Sequence, residues 1–561
     1  MNVPSFSKMT AETPTFEGVQ AEMSKINAAF DKAGDAAGQL AAVERWNEMR
    51  RRCRTWSSLV GLRFNQDTRN AEYKAQRDYR DKLEPKLTDL DNDLKRKLLH
   101  SQWRDALVAK LGPQAFALWD TDARAYSPAI EAEQVRISAL GAEYTELLAG
   151  ASFEFRGEKL NLPGLGKYYA DTDRNTRHEA RKLQWGWFAA QRGKFDALFS
   201  EMTRLRHESA RKLGLKSYVE LGYLRMHRVD YGLDDIKTLR KQVIAEVVPL
   251  CTELVRRQAA ELGIDKVKYW DDGIHDAQGS PKPRGDHDWM VARAQEMFDE
   301  VGHGLGDFFR LMNGKQLIDL KSREGKAGGG FCTGFPVYGV PFVFANFNGT
   351  KGDVEVFTHE MGHAFQNWSS RHQQLPDYLW PTYESAEIHS MSLEFITWPW
   401  MEKFFEDDAD RFRKAHLTGS LLFIPYGTAV DHFQHMVYEQ PDATPQQRFE
   451  MWRECERTYL PWRDYGDLPH ARDGGFWQAQ RHIYLRPFYY IDYVLAQLCA
   501  LQFWVRATHD RDKAMADYVA LCKRGGEAPF QQLARGAGLK SPFEPGALTK
   551  VVGQARDWLQ K

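Results

Sequence analysis

Hydrophobic residues recur along most of this chain with the spacing of amphipathic helices. The clearest example is a stripe of leucines that falls on one face of a helix, at Leu83, Leu87, Leu90, Leu94 and Leu98. Such a stripe is typical of a helix packed into a core. Similar periodicity over about 17–150, 235–265, 421–438 and 447–459 predicts a mainly α protein.

Two short stretches have the pattern of β-strands instead. Around residues 152–162 apolar and polar residues alternate about Gly157, which predicts a β-hairpin. A glycine-rich run at 325–334 leads into Val340–Phe347, a continuous apolar segment that predicts a buried strand. Because Pro341 has no N–H to donate to a neighbouring strand, we expect this strand to lie at the edge of a small sheet.

Length and composition favour one large body with two lobes. The 561 residues include no Pro/Ser/Gly-rich linker, low-complexity tract or internal repeat, so we divide the chain into an N-terminal helical lobe, 1–230, and a second lobe, 231–561. The six cysteines have no C-x-x-C spacing, which indicates reduced thiols.

Charge excludes some classes of partner. Lys and Arg number 76 against 77 for Asp and Glu, so no basic field predicts binding to nucleic acid. Apolar runs are too short to cross a membrane, and the first residues lack the order of a secretory signal. We therefore expect a cytoplasmic protein, and the sequence leaves open whether it is a monomer or a homodimer.

Candidate chemistry is concentrated in the segment from Thr350 to Gln366, which contains the pattern His-Glu-x-x-His. On a helix, His359 and His363 lie one turn apart on the same face, at a spacing that one Zn²⁺ ion can bridge. Glu360 follows one position round, where a general base can take a proton from water activated by the metal. Thr350 and Asp353 have the spacing of a capping box, which predicts the start of this helix.

A catalytic zinc needs a third protein ligand, and the residues leave several candidates. The metzincin pattern requires Gly at 366 and His at 369, whereas this chain has Gln366 and Ser369, so that class is excluded. A following helical segment instead carries three acids on one stripe, namely Glu384, Glu387 and Glu394.

With these acids, the His-Glu-Met-Gly-His motif resembles the thimet oligopeptidase and oligoendopeptidase F family of zinc peptidases, especially its Pz-peptidase-like branch. The resemblance implies that Glu387 is the third ligand of one zinc ion per chain and that Glu360 is the catalytic base. It leaves Glu384 and Glu394 to orient the ligand histidines.

The same resemblance assigns a role to an aromatic segment near residue 480. In the family, a His and one or two Tyr stabilise the negative oxygen of the tetrahedral intermediate, and His482 is the matching histidine. The spacing from His482 to the tyrosines departs from that of thimet oligopeptidase itself. It is nearer the Tyr-x-x-Tyr spacing of angiotensin-converting enzyme, so we favour Tyr490 and Tyr493 as catalytic residues and keep Tyr489, a candidate substrate contact, as an alternative.

We expect a zinc-dependent endopeptidase whose two helical lobes enclose a deep substrate groove, with a small β-sheet beside the zinc helix, and the resemblance implies that its substrates are short unstructured peptides. A peptide added to the predicted edge strand would contact Phe344, Ala345 and Asn346. Two alternatives stay open, a carboxypeptidase or dipeptidyl carboxypeptidase with the same zinc site, and a peptide-binding protein without catalysis.

Overall fold

The computed structural model describes residues 3–560, which form a mainly α-helical fold with two small sheets. The first helices are α1 Phe16–Lys32, α2 Ala36–Gln66, α3 Ala71–Leu99, α4 Arg104–Leu111, α5 Pro113–Ala125 and α6 Glu131–Ala149. Next come α7 Leu162–Gly166, α8 Arg174–Lys212, α9 Tyr218–Arg225, α10 Leu233–Gln242, α11 Val248–Glu261, α12 His287–Val301 and α13 Leu305–Gly314.

The later helices include the two that carry the metal-binding motif. They are α14 Lys351–Ser369, α15 Tyr383–Ile396, α16 Glu402–Phe405, α17 Ala409–Glu439, α18 Pro445–Tyr459, α19 Arg481–Leu485, α20 Tyr490–Ala507, α21 Arg511–Arg524, α22 Phe530–Gly536 and α23 Thr549–Leu559. Among the described residues, every helix is too short or too polar to span a membrane.

The chain forms two compact units, each assembled from separated segments. Unit 1 combines 1–123, 282–409 and 499–541, and unit 2 combines 124–281, 410–498 and 542–561. This division differs from the predicted boundary after residue 230, because segments distant in sequence pack together in each unit. Local periodicity carries no information about such long-range pairing.

The core of unit 1 confirms the predicted packing role of the leucine stripe. Leu94 and Leu98 of α3 are fully buried in a cluster with residues of α1, α2 and α5. In this cluster the Trp46 and Trp119 rings meet edge to face, 5.7 Å between centroids.

Unit 2 contains the predicted hairpin, formed by β1 Phe153–Phe155 and β2 Glu158–Leu160 in antiparallel register. The turn residues Arg156 and Gly157 both have positive φ, 50° and 79°, as a tight two-residue hairpin turn requires. Phe153 and Phe155 point into a small core that includes Leu165.

The three-stranded sheet of unit 1 corrects the prediction of an edge strand. It consists of β3 Ile318–Lys321, β4 Phe331–Phe335 and β5 Val340–Phe347, in the order β3-β5-β4. β5 is therefore the central strand, parallel to β3 and antiparallel to β4, and the prediction that it lies at an edge is wrong.

Pro341 is tolerated in this central strand because of where β3 begins. The Val343 N–H donates to Leu317 O on the β3 side, at 2.9 Å, and pairing with β3 starts at Ile318↔Val343. Backbone N–H groups two residues apart in a strand point to the same side, so position 341 faces the β3 side as Val343 does. Because β3 begins to pair only at Val343, the N–H that Pro341 lacks would have had no partner in β3.

Candidate metal centre

Helix α14 begins after Thr350, as predicted, but its N-terminus is not capped in the predicted way. Thr350 is its N-cap, yet the Thr350 hydroxyl bonds Asn348 Oδ1 at 2.7 Å instead of capping the helix. Asp353 accepts from the backbone N–H of Asn348, at 3.0 Å, and of Gly349, at 2.7 Å. The acid thus ties the helix start to the end of β5, and the predicted reciprocal capping box is not formed.

A glycine inside the motif allows α14 and α15 to approach closely. A Cβ atom at Gly362 would lie 2.6 Å from both His389 O and Ser390 Cα. No side chain fits in that space, so glycine between Met361 and His363 lets the backbones touch. This contact brings Glu387 of α15 to the face of α14 that carries both histidines.

Three donor atoms converge at this contact. Glu387 Oε2 lies 3.2 Å from His359 Nε2 and 3.4 Å from His363 Nε2. Ligand atoms about 2.0–2.2 Å from a tetrahedral ion are separated by about 3.3–3.6 Å, so these separations fit one zinc-sized ion. Among the described residues, His359, His363 and Glu387 form the group of His, Cys and acidic side chains suited to hold a metal.

The donors are themselves oriented by neighbours. His359 Nδ1 lies 2.7 Å from Glu394 Oε1, which confirms the predicted partnership of Glu394 with a ligand histidine. An Nδ1–H donated to Glu394 leaves the lone pair of His359 Nε2 directed at the site. The Ser390 hydroxyl donates to Glu387 Oε2 at 3.0 Å. Glu384 is buried in the first turn of α15, and its role in orienting a ligand histidine stays a prediction.

The pKa values of Glu360 and Glu387 shift in opposite directions. Burial raises the pKa of Glu360, and the imidazoles of His359 and His363 oppose that shift. Burial acts on Glu387 in the same direction, but His363 and His359 outweigh it and hold the pKa of Glu387 well below its usual range. Glu387 therefore stays anionic as a ligand should, while Glu360 has an increased affinity for a proton.

A divalent cation fits this donor set. Two imidazoles and a carboxylate suit Zn²⁺, and they also accommodate cobalt or manganese. Glu360 Oε2 is buried and lacks a hydrogen-bond partner among the described residues, which leaves it available to a small polar group in the site. Glu360 is thus buried close enough to both histidines for them to oppose the rise in its pKa, and it is not a member of the donor cluster.

In unit 2 the predicted oxyanion residues lie together. The His482 ring is 5.0 Å from the Tyr490 ring and 5.9 Å from those of Tyr489 and Tyr493, between centroids. Gln480 Nε2 lies 2.9 Å from His482 Nδ1. Burial raises the pKa of the Tyr490 hydroxyl, which keeps it protonated and able to donate.

The residues predicted to bind substrate from β5 are occupied within the protein. Phe344 is fully buried and paired on both sides, and Ala345 O accepts from Lys326 Nζ at 2.6 Å. Asn346 Nδ2 donates to Ala327 O and Gly329 O, both at 2.8 Å. With β5 in the centre of the sheet, the strand-addition argument for these three residues no longer holds.

The edge beside the motif helix is β4, which sequence reasoning missed. The Val343 N–H faces β3, so the N–H groups of its neighbours Phe342 and Phe344 face β4. Phe342 pairs with Thr333 of β4, and Phe344 pairs with Phe331. By alternation, the backbone N–H and C=O groups of Cys332 and Gly334 point away from the sheet. The alternation of apolar and polar residues directly after the glycine run at 325–330 could have predicted this strand.

This edge borders a cavity of about 540 Å³ within unit 1. Its lining includes Cys332, Gly334 and Trp380, and the Trp380 ring lies 6.4 Å from the His363 ring. The volume is that of a small-ligand or peptide side-chain pocket. Trp380 thus lines the cavity beside β4 and also lies near one of the metal donors.

A His-Glu-x-x-His helix with a carboxylate from a second helix is the donor arrangement of metallopeptidases of the zincin kind. Residues 6–126 match the Peptidase M3 N-terminal domain, and residues 285–551 match Peptidase family M3. Comparison with curated protein sequences gives no match.

Three solved structures are similar to this protein over almost the whole chain. An oligoendopeptidase F structure is 46% identical, with a TM-score of 0.95, over 100% of this chain and 99% of that chain. PZ peptidase A, solved with an inhibitor, is 42% identical, with a TM-score of 0.95, over 99% of each chain. An oligoendopeptidase F structure from Bacillus anthracis is 40% identical, with a TM-score of 0.90, over 100% of this chain and 99% of that chain.

The chain belongs to peptidase family M3, in the oligoendopeptidase F group. It is accordingly a metallopeptidase that acts on peptides.

Proposed function

We propose that this protein is a zinc-dependent endopeptidase that hydrolyses internal bonds of short, unstructured peptides. The observation that carries the proposal is the convergence of His359 Nε2, His363 Nε2 and Glu387 Oε2 within one donor cluster, with Glu360 buried beside it. His359, His363 and Glu387 would hold one Zn²⁺ per chain. The chemistry that zinc supplies in such a site is Lewis acidity, which polarises a carbonyl and lowers the pKa of water.

Glu360 performs the proton transfers. Its burial favours the protonated form, so the carboxylate accepts a proton from the attacking water and returns it to the leaving amine. Glu394 keeps His359 in the tautomer that binds metal. In this proposal His482, with Tyr490 and Tyr493, donates to the negative oxygen that develops on the carbonyl.

The substrate backbone binds along β4. Cys332 and Gly334 offer outward N–H and C=O groups, to which an extended peptide adds as a further strand. A strand that continues on both sides of the scissile bond needs no free chain end. This favours an endopeptidase over the carboxypeptidase and dipeptidyl carboxypeptidase alternatives, which require a group that grips the terminal carboxylate.

A single pair of substrates separates these activities. A peptide of about ten residues, acetylated at its N-terminus and amidated at its C-terminus, has no charged end for an exopeptidase to recognise. We expect the zinc-loaded protein to cleave an internal bond of this blocked peptide, as mass spectrometry of the products would show. Cleavage confined to a version with a free C-terminus would instead support the exopeptidase alternatives. Tight binding of both peptides without cleavage would support a non-catalytic role.

The role of Glu360 is tested by Glu360→Gln. The amide cannot accept a proton, so kcat should fall by about 10²–10⁴-fold, whereas the metal content should match the wild type because Glu360 is not a donor. The matched control is Glu355→Gln on the same helix, whose carboxylate pairs with Lys351. A Glu360→Gln protein with near-normal kcat would remove Glu360 as the base.

A further inference from the structure

The glycine-rich segment that precedes β4 contains one lysine whose side chain is fully buried. The Lys326 side chain has no exposed area. Its ammonium donates to Asp319 Oδ1, at 2.8 Å, and to Ala345 O, at 2.6 Å, and the carbonyls of Asp319 and Lys321 lie at 2.9 and 3.0 Å. An ammonium has three N–H groups, so all of its donors find acceptors.

These acceptors lie at an irregularity of the sheet. The pairing of β3 with β5 changes register between Asp319 and Lys321, and at this point the Lys326 ammonium lies within hydrogen-bond distance of backbone carbonyls of both strands. Its ammonium also lies 4.4 Å from the centre of the Phe344 ring. Lys326 thus joins the segment 325–330 to β3 and β5 at the same time.

Asn346 supplies a second tie to the same segment. Its amide donates to Ala327 O and Gly329 O, on either side of Gly328, at 2.8 Å each. On the opposite side the Ala327 N–H donates to Asn65 O at 2.8 Å. The glycine-rich segment is therefore fixed from several directions despite its composition.

The far end of the segment lies over the catalytic base. A Cβ atom at Gly330 would lie 2.9 Å from Val356 Cγ1 and 3.4 Å from Glu360 Oε1. Directly after Gly330 the chain becomes β4, the edge with outward backbone groups at Cys332 and Gly334. The placement of this segment therefore sets the distance between Glu360 and the edge strand.

A purely structural reason does not account well for a charge at this position. Burying an ammonium is costly, and apolar residues of similar volume often give equal or greater stability than a buried ion pair. The several hydrogen bonds of this buried ammonium fix the positions of its partners more effectively than they stabilise the fold.

We propose that Lys326 is a positioning residue of the peptidase: its ammonium holds the segment 325–330 so that Gly330 lies against Glu360 and β4 presents its edge at the right distance for a peptide. The inference rests on the proposed function, in which Glu360 is the base. Displacement of a bound substrate by about 1 Å can cost about 10²-fold in rate, so modest movement of this segment has a large effect.

The test compares Lys326→Met with Lys513→Met, a control at an exposed lysine of α21. We expect Lys326→Met to reduce kcat/KM for the blocked peptide by about 10–100-fold at a temperature where circular dichroism shows it folded. Its zinc content should equal that of the wild type. In the Glu360→Gln background, Lys326→Met should also weaken binding of the uncleaved peptide by about tenfold, measured by calorimetry.

A second variant covers the case in which Lys326→Met fails to fold. Gly330→Ala places a methyl group against Val356 and Glu360, so kcat should fall by about 10–100-fold with zinc retained. The further change Val356→Ala removes the closest contact and should restore part of that loss. Gly314→Ala, where an added Cβ meets nothing within 4 Å, is the control and should retain wild-type kcat.

The outcomes separate the two proposals. A folded Lys326→Met protein with wild-type kcat/KM and peptide affinity would overturn the positioning role, as would a fully active Gly330→Ala protein. Failure of the zinc-loaded wild type to cleave any peptide would overturn the proposed function, while the binding measurement would still decide whether Lys326 positions the edge.

Discussion

The metal donors in unit 1 and the aromatic cluster in unit 2 are fixed by different kinds of interaction. Two donors come from one helical turn of α14, and the third comes from α15 through the backbone contact at Gly362. In the aromatic cluster, His482 belongs to α19, Tyr490 and Tyr493 belong to the start of α20, and Tyr489 directly precedes that helix. Phe488, between the two helices, has a φ of +68°. The donors are placed by regular helices, whereas the tyrosines depend on a bend.

That bend is held by contacts from distant parts of the chain. Phe488 N donates to Gln434 Oε1 at 2.9 Å, and Arg228, paired with Asp492, donates to Phe488 O at 2.5 Å. A Cβ atom at Gly222 would lie 2.4 Å from the Phe488 ring, so glycine leaves the space that this ring fills. A bulky residue at positive φ is uncommon, and such strain is often found near functional groups.

If the donor cluster binds the metal and the aromatic cluster acts on the rate, variants of one cluster should change zinc affinity and variants of the other should change kcat. The largest effect belongs to His482→Phe, which we expect to lower kcat by about 10²–10³-fold through loss of a donor to the developing negative oxygen. Zinc content, measured by atomic emission, should not change. His372→Phe, at an exposed histidine that bonds only a local carbonyl among the described residues, is the control. Loss of zinc from His482→Phe would break the division between the clusters.

A smaller effect is expected at the outer partner of the donor cluster. Glu394→Gln replaces the anion that accepts from His359 Nδ1, so the affinity for Zn²⁺ should fall by about 10–100-fold. Competition with a chelator measures this affinity, and excess zinc should restore most of the rate. The control is Glu402→Gln on α16, an exposed glutamate. Low activity that excess zinc cannot restore would show that Glu394 acts on catalysis and not on the metal.

The same contrast explains what the sequence could predict. His359, His363 and Glu360 follow from helical periodicity alone, and the stripe on α15 reduced the third ligand to three acids. The resemblance to a family then favoured Glu387, whose oxygen lies within the donor cluster. The choice among Tyr489, Tyr490 and Tyr493 stays a prediction, because all three lie beside His482 and the bend that orients them depends on Gln434, Arg228 and Gly222.

The error at β5 has a similar cause. A proline in a strand indicates an edge only when its missing N–H would face a neighbouring strand, and β3 begins beyond Pro341. Strand order depends on which segments pair, which is a long-range property. The division into 1–230 and 231–561 differs from the compact units for the same reason, since residues 499–541, which begin within α20, pack within unit 1 although the segment before them, 410–498, belongs to unit 2.

The smallest effect tests whether the bend itself matters. Gln434→Leu removes the acceptor of the Phe488 N–H, and a buried unpaired N–H should cost about 1–3 kcal/mol of unfolding free energy. If the bend orients the tyrosines, kcat should also fall, by about three- to tenfold, with KM and zinc content little changed. Gln258→Leu is the matched control in the same unit, since its buried amide bonds the carbonyls of Asp271 and Ile274 away from the cluster. Denaturant unfolding should show a similar loss of stability in both variants, and only Gln434→Leu should lose rate. Equal rates in the two would mean that the contacts around Phe488 stabilise unit 2 without positioning its tyrosines.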